Sequence, residues 1–169
     1  MKAQQRTILV ADDNAHDRMF TVNALKSLET SCSIQEVASG NEAIAYLNGE
    51  GQFSDRNKFQ FPGYIITDLK MDDGDGLELL NFLWTHHDKC VVPVIVLSGS
   101  GDADDVRQSY ALGASGFLVK PHEPEELRSL LKKLFDFFSE CEVPQVTDSG
   151  TPLPTSSLGK LGSRFLQAA

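Results

Sequence analysis

Short apolar runs alternate along this chain with stretches in which apolar positions recur every three or four residues. The first run, Thr7-Ile-Leu-Val-Ala11, predicts a strand. The stretch Ala15–Leu28, with Met19, Val22 and Leu25 on one face, predicts a helix. The pattern then repeats, predicting strands over Ser33–Ala38, Tyr64–Thr67, Val91–Leu97 and Gly116–Val119. The helices between and after them are predicted over Asn41–Leu47, Leu77–His86, Ala103–Leu112 and Pro124–Phe138. Pro93 falls near the start of the most apolar run, where its missing N–H matters least. Asn48–Pro62 reads as a long polar surface loop.

Strands that alternate with helices predict an α/β protein with a mainly parallel sheet. Right-handed crossovers then give an open, doubly wound sheet with strand order 2-1-3-4-5. In such a sheet ligands bind beyond the carboxyl ends of the strands, beside the switch in strand order. With this order the first and third strands are neighbours there. The first ends in Asp12-Asp13 and the third in Asp68. Three carboxylates this close disfavour one another's ionised form, and a hard divalent cation with oxygen ligands relieves the conflict.

A carboxylate such as Asp68, at a strand end beside a metal, can act as a nucleophile toward a phosphoryl group. Lys120 ends the last strand and is placed to reach the same cleft. Ser98 ends the fourth, where its hydroxyl can bond a phosphoryl oxygen. Other motifs carry less. The string Asp72-Asp73-Gly74-Asp75-Gly76 lacks the glutamate that a calcium loop needs. Asp68-Leu69-Lys70 lacks the second aspartate of haloacid dehalogenase-type phosphatases. His86-His87 reads as a solvated pair at a helix C-terminus, and His16 and His122 have no partner spacing. A flavin carrier of similar fold is disfavoured, because the acidic turn after the first strand repels phosphate.

The chain has 169 residues, 41% of them hydrophobic, which suits a single folded domain. No apolar stretch approaches the roughly 20 residues of a membrane helix, and Met1–Arg6 lacks a signal-peptide core, so a cytoplasmic location is expected. A net charge of −9 argues against nucleic-acid binding. Cys32, Cys90 and Cys141 are widely spaced and read as reduced thiols. After Glu142 Pro, Ser, Thr and Gly dominate. Residues 1–142 are therefore expected to fold, with 143–169 as a flexible tail too short for an effector domain. Leu161–Ala169 is too short to be a stable helix alone.

The segments "ILVADDN", "YIITDLKMDDGDGLELL", "VPVIVLSGSG" and "GASGFLVKP" together resemble the receiver domain of two-component response regulators, over about Thr7 to Phe138. The resemblance implies a flavodoxin-like (βα)5 fold and a signalling protein rather than an enzyme with an external substrate. It implies that Asp68 is the phosphoacceptor and that Asp12, Asp13, Asp68 and the Lys70 backbone carbonyl hold Mg²⁺ or Mn²⁺. Ser98 and Lys120 would contact the phosphoryl group, Phe117 would be the aromatic switch residue, and Lys70 and Ser100 would tune the lifetime of the phosphoaspartate. The Lys120–Pro121 bond would be cis, aiming the lysine inward. Implied partners are a sensor histidine kinase or histidine phosphotransfer protein and a downstream protein. The long loop and "RQSYALGASGF" look similar to stand-alone receivers paired with phytochrome-type kinases. A crowded set of Leu134, Phe135, Phe137 and Phe138 suggests a homodimer through the fourth helix, fifth strand and fifth helix. One departure stands out: the family usually has Pro four residues after the phosphoacceptor, where this chain has Asp72. The loop is therefore expected to be more mobile, with a bearing on metal affinity.

Overall fold

β1 (Thr7–Ala11), β2 (Ser33–Val37), β3 (Tyr64–Thr67), β4 (Val94–Ser98) and β5 (Gly116–Val119) form one parallel sheet in the order β2-β1-β3-β4-β5. This is a computed structural model; it describes residues 6–28, 32–87, 91–142, 146–147 and 150–151. The helices are α1 (Ala15–Lys26), α2 (Gly40–Asn48), α3 (Gly76–Thr85), α4 (Ala103–Ala111) and α5 (Pro124–Ser139). The flavodoxin-like architecture and strand order expected from the sequence are both present. β1, β3 and β5 have the predicted limits, and the other elements differ at their ends. β4 starts at Val94 rather than Val91, because Pro93 has no N–H for the ladder; its carbonyl still accepts from Ile65 N at 3.0 Å.

Successive residues of each strand point to opposite faces. Leu9, Ile65, Val94 and Val96 pack under α2 and α3, whereas Ile8, Val10, Ile66, Ile95 and Leu97 pack against α1 and α5. The crowded end of α5 divides: Phe135 and Phe138 are buried around Tyr64, with ring centroids 5.5 and 5.2 Å away, and Phe137 is exposed. On α1, Val22 and Leu25 are buried as predicted, but Met19 is exposed.

The segment Asn48–Pro62 is not simply a polar surface loop. It contains a short 3₁₀ turn, Gly51–Phe53, and its buried Phe53 and Phe61 belong to the α2–α3 layer. Tyr46, Phe53 and Phe59 form a ring cluster, and the Arg56 guanidinium donates to the carbonyls of Tyr46 and Leu47 at 2.8 and 2.6 Å, closing the C-terminal end of α2. Beyond Glu142, where a flexible tail is predicted, Val146 packs on the same layer. Gly150 (φ 84°) lies so close to the Phe61 ring that a Cβ there would collide with it. The predicted C-terminal stretch Leu161–Ala169 and Cys90 lie outside the described residues.

Candidate functional site

Ala11 sits beside Thr67 in the β1–β3 pairing, so the residues that follow these two strands leave the sheet together. The Asp68 N–H donates to the Ala11 carbonyl at 2.8 Å and fixes that junction. Oxygens of Asp12, Asp13 and Asp68, one from each, lie within 4.8 Å of one another. Asp68 Oδ1 accepts from Leu69 N at 2.6 Å, and Asp12 Oδ1 accepts from Asn14 N at 3.0 Å.

Lys120 reaches this group from the end of β5, its own N–H bonded to the Ser98 carbonyl at 2.7 Å. Its ammonium lies 2.8 Å from Asp12 Oδ2, 2.9 Å from Asp68 Oδ2 and 3.0 Å from Asp17 Oδ2. Burial pushes the ammonium's pKa down, but the hydrogen bonds to Asp12, Asp68 and Asp17 outweigh it and hold the group above the usual lysine range. Burial, with the neighbouring Asp68 charge adding to it, holds Asp12 above the ordinary carboxylate range despite Lys120. Three carboxylates thus surround one ammonium, with Asp13 beside Asp12 and Asp68, and the negative excess that remains, in an all-oxygen donor set, fits a divalent cation.

The loop after β3, for which mobility is expected, is held by several hydrogen bonds. Asp72 N donates to Asp13 Oδ2 at 3.0 Å, a bond that a proline at this position could not make. The Asp73 carboxylate accepts from Ser39 Oγ at 3.1 Å and Asn41 Nδ2 at 2.9 Å, and Gly40 N donates to the Gly74 carbonyl at 2.8 Å. Asp75 and Glu78 form a reciprocal cap on α3. The acidic string is therefore a brace between α2 and α3 rather than a second cation loop.

The remaining predicted residues lie at varying distances from this centre. Ser98 is buried at the end of β4, with Oγ accepting from Ser100 N at a long 3.4 Å; Ser100 Oγ in turn accepts from Asp102 N at 3.4 Å. Phe117 pairs with Val96 in the sheet and is half-buried against the α2–α3 layer. The Lys70 side chain does not point into the cleft but pairs with Asp105 on α4. The expected cis bond is also absent: Lys120–Pro121 is trans, as are all peptide bonds among the described residues, and the lysine reaches the acids without it.

Two residues at the centre were not anticipated. Asp17 stands one turn into α1, just past the N-cap Asn14, and faces Lys120. Arg18 donates to the Asp12 carbonyl at 2.6 Å while pairing with Glu36 at 3.2 Å. The spacing Asn14-x-x-Asp17 marks a helix start that turns its first acid back toward the strand end, which is the signal that could have flagged Asp17.

Comparison with known proteins agrees with this geometry. The sequence pattern of the "Response regulator receiver domain" matches residues 8–132. The probable transcriptional regulator ycf29 of Porphyra purpurea is 40% identical over 106 residues, 62% of this chain; the chain spans only half of that protein's length. Response regulator Rcp1 of Synechocystis is 27% identical over 135 residues, covering 80% of this chain and 90% of Rcp1. The Mn(2+)-bound structure of Rcp1 superposes with a TM-score of 0.73 at 26% identity, over 83% of this chain and 99% of that one. The phosphorylated cyanobacterial phytochrome response regulator RcpA gives 0.74 at 27%, over 84% of this chain and all of RcpA. With that family pattern matched over residues 8–132 and the fold shared with Rcp1 and RcpA, this chain belongs to the response regulator receiver family.

Proposed function

We propose that this chain is a single-domain response regulator whose Asp68 accepts a phosphoryl group from a histidine of a sensor kinase or histidine phosphotransfer protein. The observation that carries this reading is the shared grip of Lys120 on Asp12 and Asp68, at 2.8 and 2.9 Å, beside Asp13. An Asp68 carboxylate oxygen attacks phosphorus, the P–N bond to the donor histidine breaks, and its electron pair stays on the imidazole nitrogen. When bound, Mg²⁺ or Mn²⁺ on the carboxylates of Asp12, Asp13 and Asp68 and the Lys70 carbonyl supplies charge neutralisation for the phosphoryl oxygens. Lys120 donates to a phosphoryl oxygen from the other side.

The Ser98 hydroxyl then moves toward the phosphoryl group, and Phe117 turns into the space this leaves. The face formed by α4, β5 and α5 changes shape and recruits a downstream protein or a second copy of the chain. Lys70 and Ser100 set how long the acyl phosphate lasts. The likeness to Rcp1 and RcpA supports a phytochrome-type kinase as phosphoryl donor. No described helix is long and apolar enough to cross a membrane, in keeping with a cytoplasmic signalling role. The chain catalyses only its own phosphorylation and dephosphorylation, and residues 1–142 carry that activity.

The test is incubation with Mg²⁺ and acetyl phosphate, followed by intact-mass measurement of the wild type and Asp68→Asn. One added phosphoryl group in the wild type alone, lost with chelator, is the expected result. No addition in either protein would leave a phosphorylation-independent interaction module as the better reading.

A further inference from the structure

We propose that Asp17 is a positioning residue that holds Lys120 back and thereby sets how readily the site takes up a phosphoryl group. This rests on the reading of Asp68 as phosphoacceptor. An ammonium has three N–H donors and no acceptor. Here Asp12, Asp68 and Asp17 lie around it at 2.8, 2.9 and 3.0 Å, so all three donors are engaged. A phosphoryl oxygen can gain a hydrogen bond from Lys120 only if one of these contacts is given up.

The three carboxylates are not equivalent. Asp12 is nearly sealed, its side chain 4% exposed, and sits at the end of a central strand. Asp17 is 40% exposed, on the first turn of α1, at the lip of an open cleft of about 260 Å³ that Phe20, Gly99, Pro121 and His122 also line. Asp17 is therefore the partner that solvent replaces most easily, and the one Lys120 releases. Its negative charge also opposes an incoming phosphoryl dianion. Both effects have the same sign: with Asp17 present, the unphosphorylated arrangement is favoured.

The test is an equilibrium titration of the full chain with beryllofluoride, a phosphoryl mimic, at saturating Mg²⁺, together with the rate of phosphorylation by acetyl phosphate. Asp17→Asn is expected to bind beryllofluoride about three- to tenfold tighter, the size of one partly exposed ionic contact, and to show a lower KM for acetyl phosphate. Asp17→Glu, which returns the carboxylate, is expected to stay within about twofold of wild type. Asp17→Ser supplies the same readout should the asparagine variant misfold. A wild type that binds beryllofluoride, with Asp17→Asn and Asp17→Ser binding no tighter, would overturn the role of Asp17 alone. A wild type that takes up neither beryllofluoride nor phosphoryl would overturn the phosphoacceptor reading and this inference with it.

Discussion

The Lys70 ammonium lies 3.0 Å from Asp105 Oδ1, tying the loop after β3 to the first turn of α4. Lys70 is two residues beyond Asp68 and carries an exposed side chain, whereas Asp105 is buried. The hydrogen bond to Asp105 raises the lysine's pKa, so the ammonium keeps its charge through the neutral range. The lysine is thus parked on the helix that borders the site. In Asp105→Asn it is released to swing over Asp68, and the phosphoaspartate half-life, followed by loss of the added mass, is expected to lengthen about two- to threefold, the worth of one exposed contact. An unchanged half-life would remove Lys70 from any role in hydrolysis.

Replacing Lys120 with methionine leaves Asp12, Asp17 and Asp68 facing one another without their cation. The loss of stability in urea titrations is expected to be about 3 kcal/mol without metal, the scale for breaking a buried ion pair. Adding Mg²⁺ should return most of it. A loss of equal size with and without Mg²⁺ would argue against a cation among these carboxylates.

Asp72→Pro restores the residue more usual in the family but removes the N–H that holds Asp13 Oδ2. Mn²⁺ or Mg²⁺ affinity is expected to fall about tenfold, the usual cost of losing a partner that orients a metal ligand. An affinity equal to wild type would mean that Asp13 is oriented without this bond.

The centre also predicts a pH dependence. Burial holds Asp12 above the ordinary carboxylate range, so the folded chain binds this proton more tightly than the unfolded chain does. Without metal, the contribution of Asp12 to stability is largest in acid and is lost as pH rises through that elevated value. Lys120 is held above its ordinary range, so its contribution is complete below that range and lost only in strong alkali. A proton and a cation compete for Asp12, and cation affinity is expected to decline on acidification from a pH above the usual carboxylate range. Metal titrations across the acid range check this, with Asp12→Asn expected to show a shallower decline than wild type.

Much of the centre was legible in the sequence because strand ends are. An apolar run closed by Asp12-Asp13, and another closed by Asp68, specify both the sheet and what it carries. Contacts that only packing creates were not legible. Asp17 meets Lys120 across 103 residues, and nothing local to either residue encodes that meeting. Met19 follows the helical period of Val22 and Leu25, yet it stays exposed. The aromatic residues between α2 and β3 have neither a strand period nor a helix period, so their burial could not be read from spacing. The acidic string is engaged in ways composition does not reveal: Asp73 bonds the Ser39 and Asn41 side chains, and Asp75 caps α3.

The sheet order has one more consequence. Lys120 is 52 residues from Asp68 and 108 from Asp12 along the chain, and no partly folded segment brings the three together. On the proposed reading of Asp68 as phosphoacceptor, competence arrives only with the last strand in place. On the same reading, a chain still emerging from the ribosome, or one partly melted by stress, takes up no phosphoryl group, and only finished molecules carry the signal.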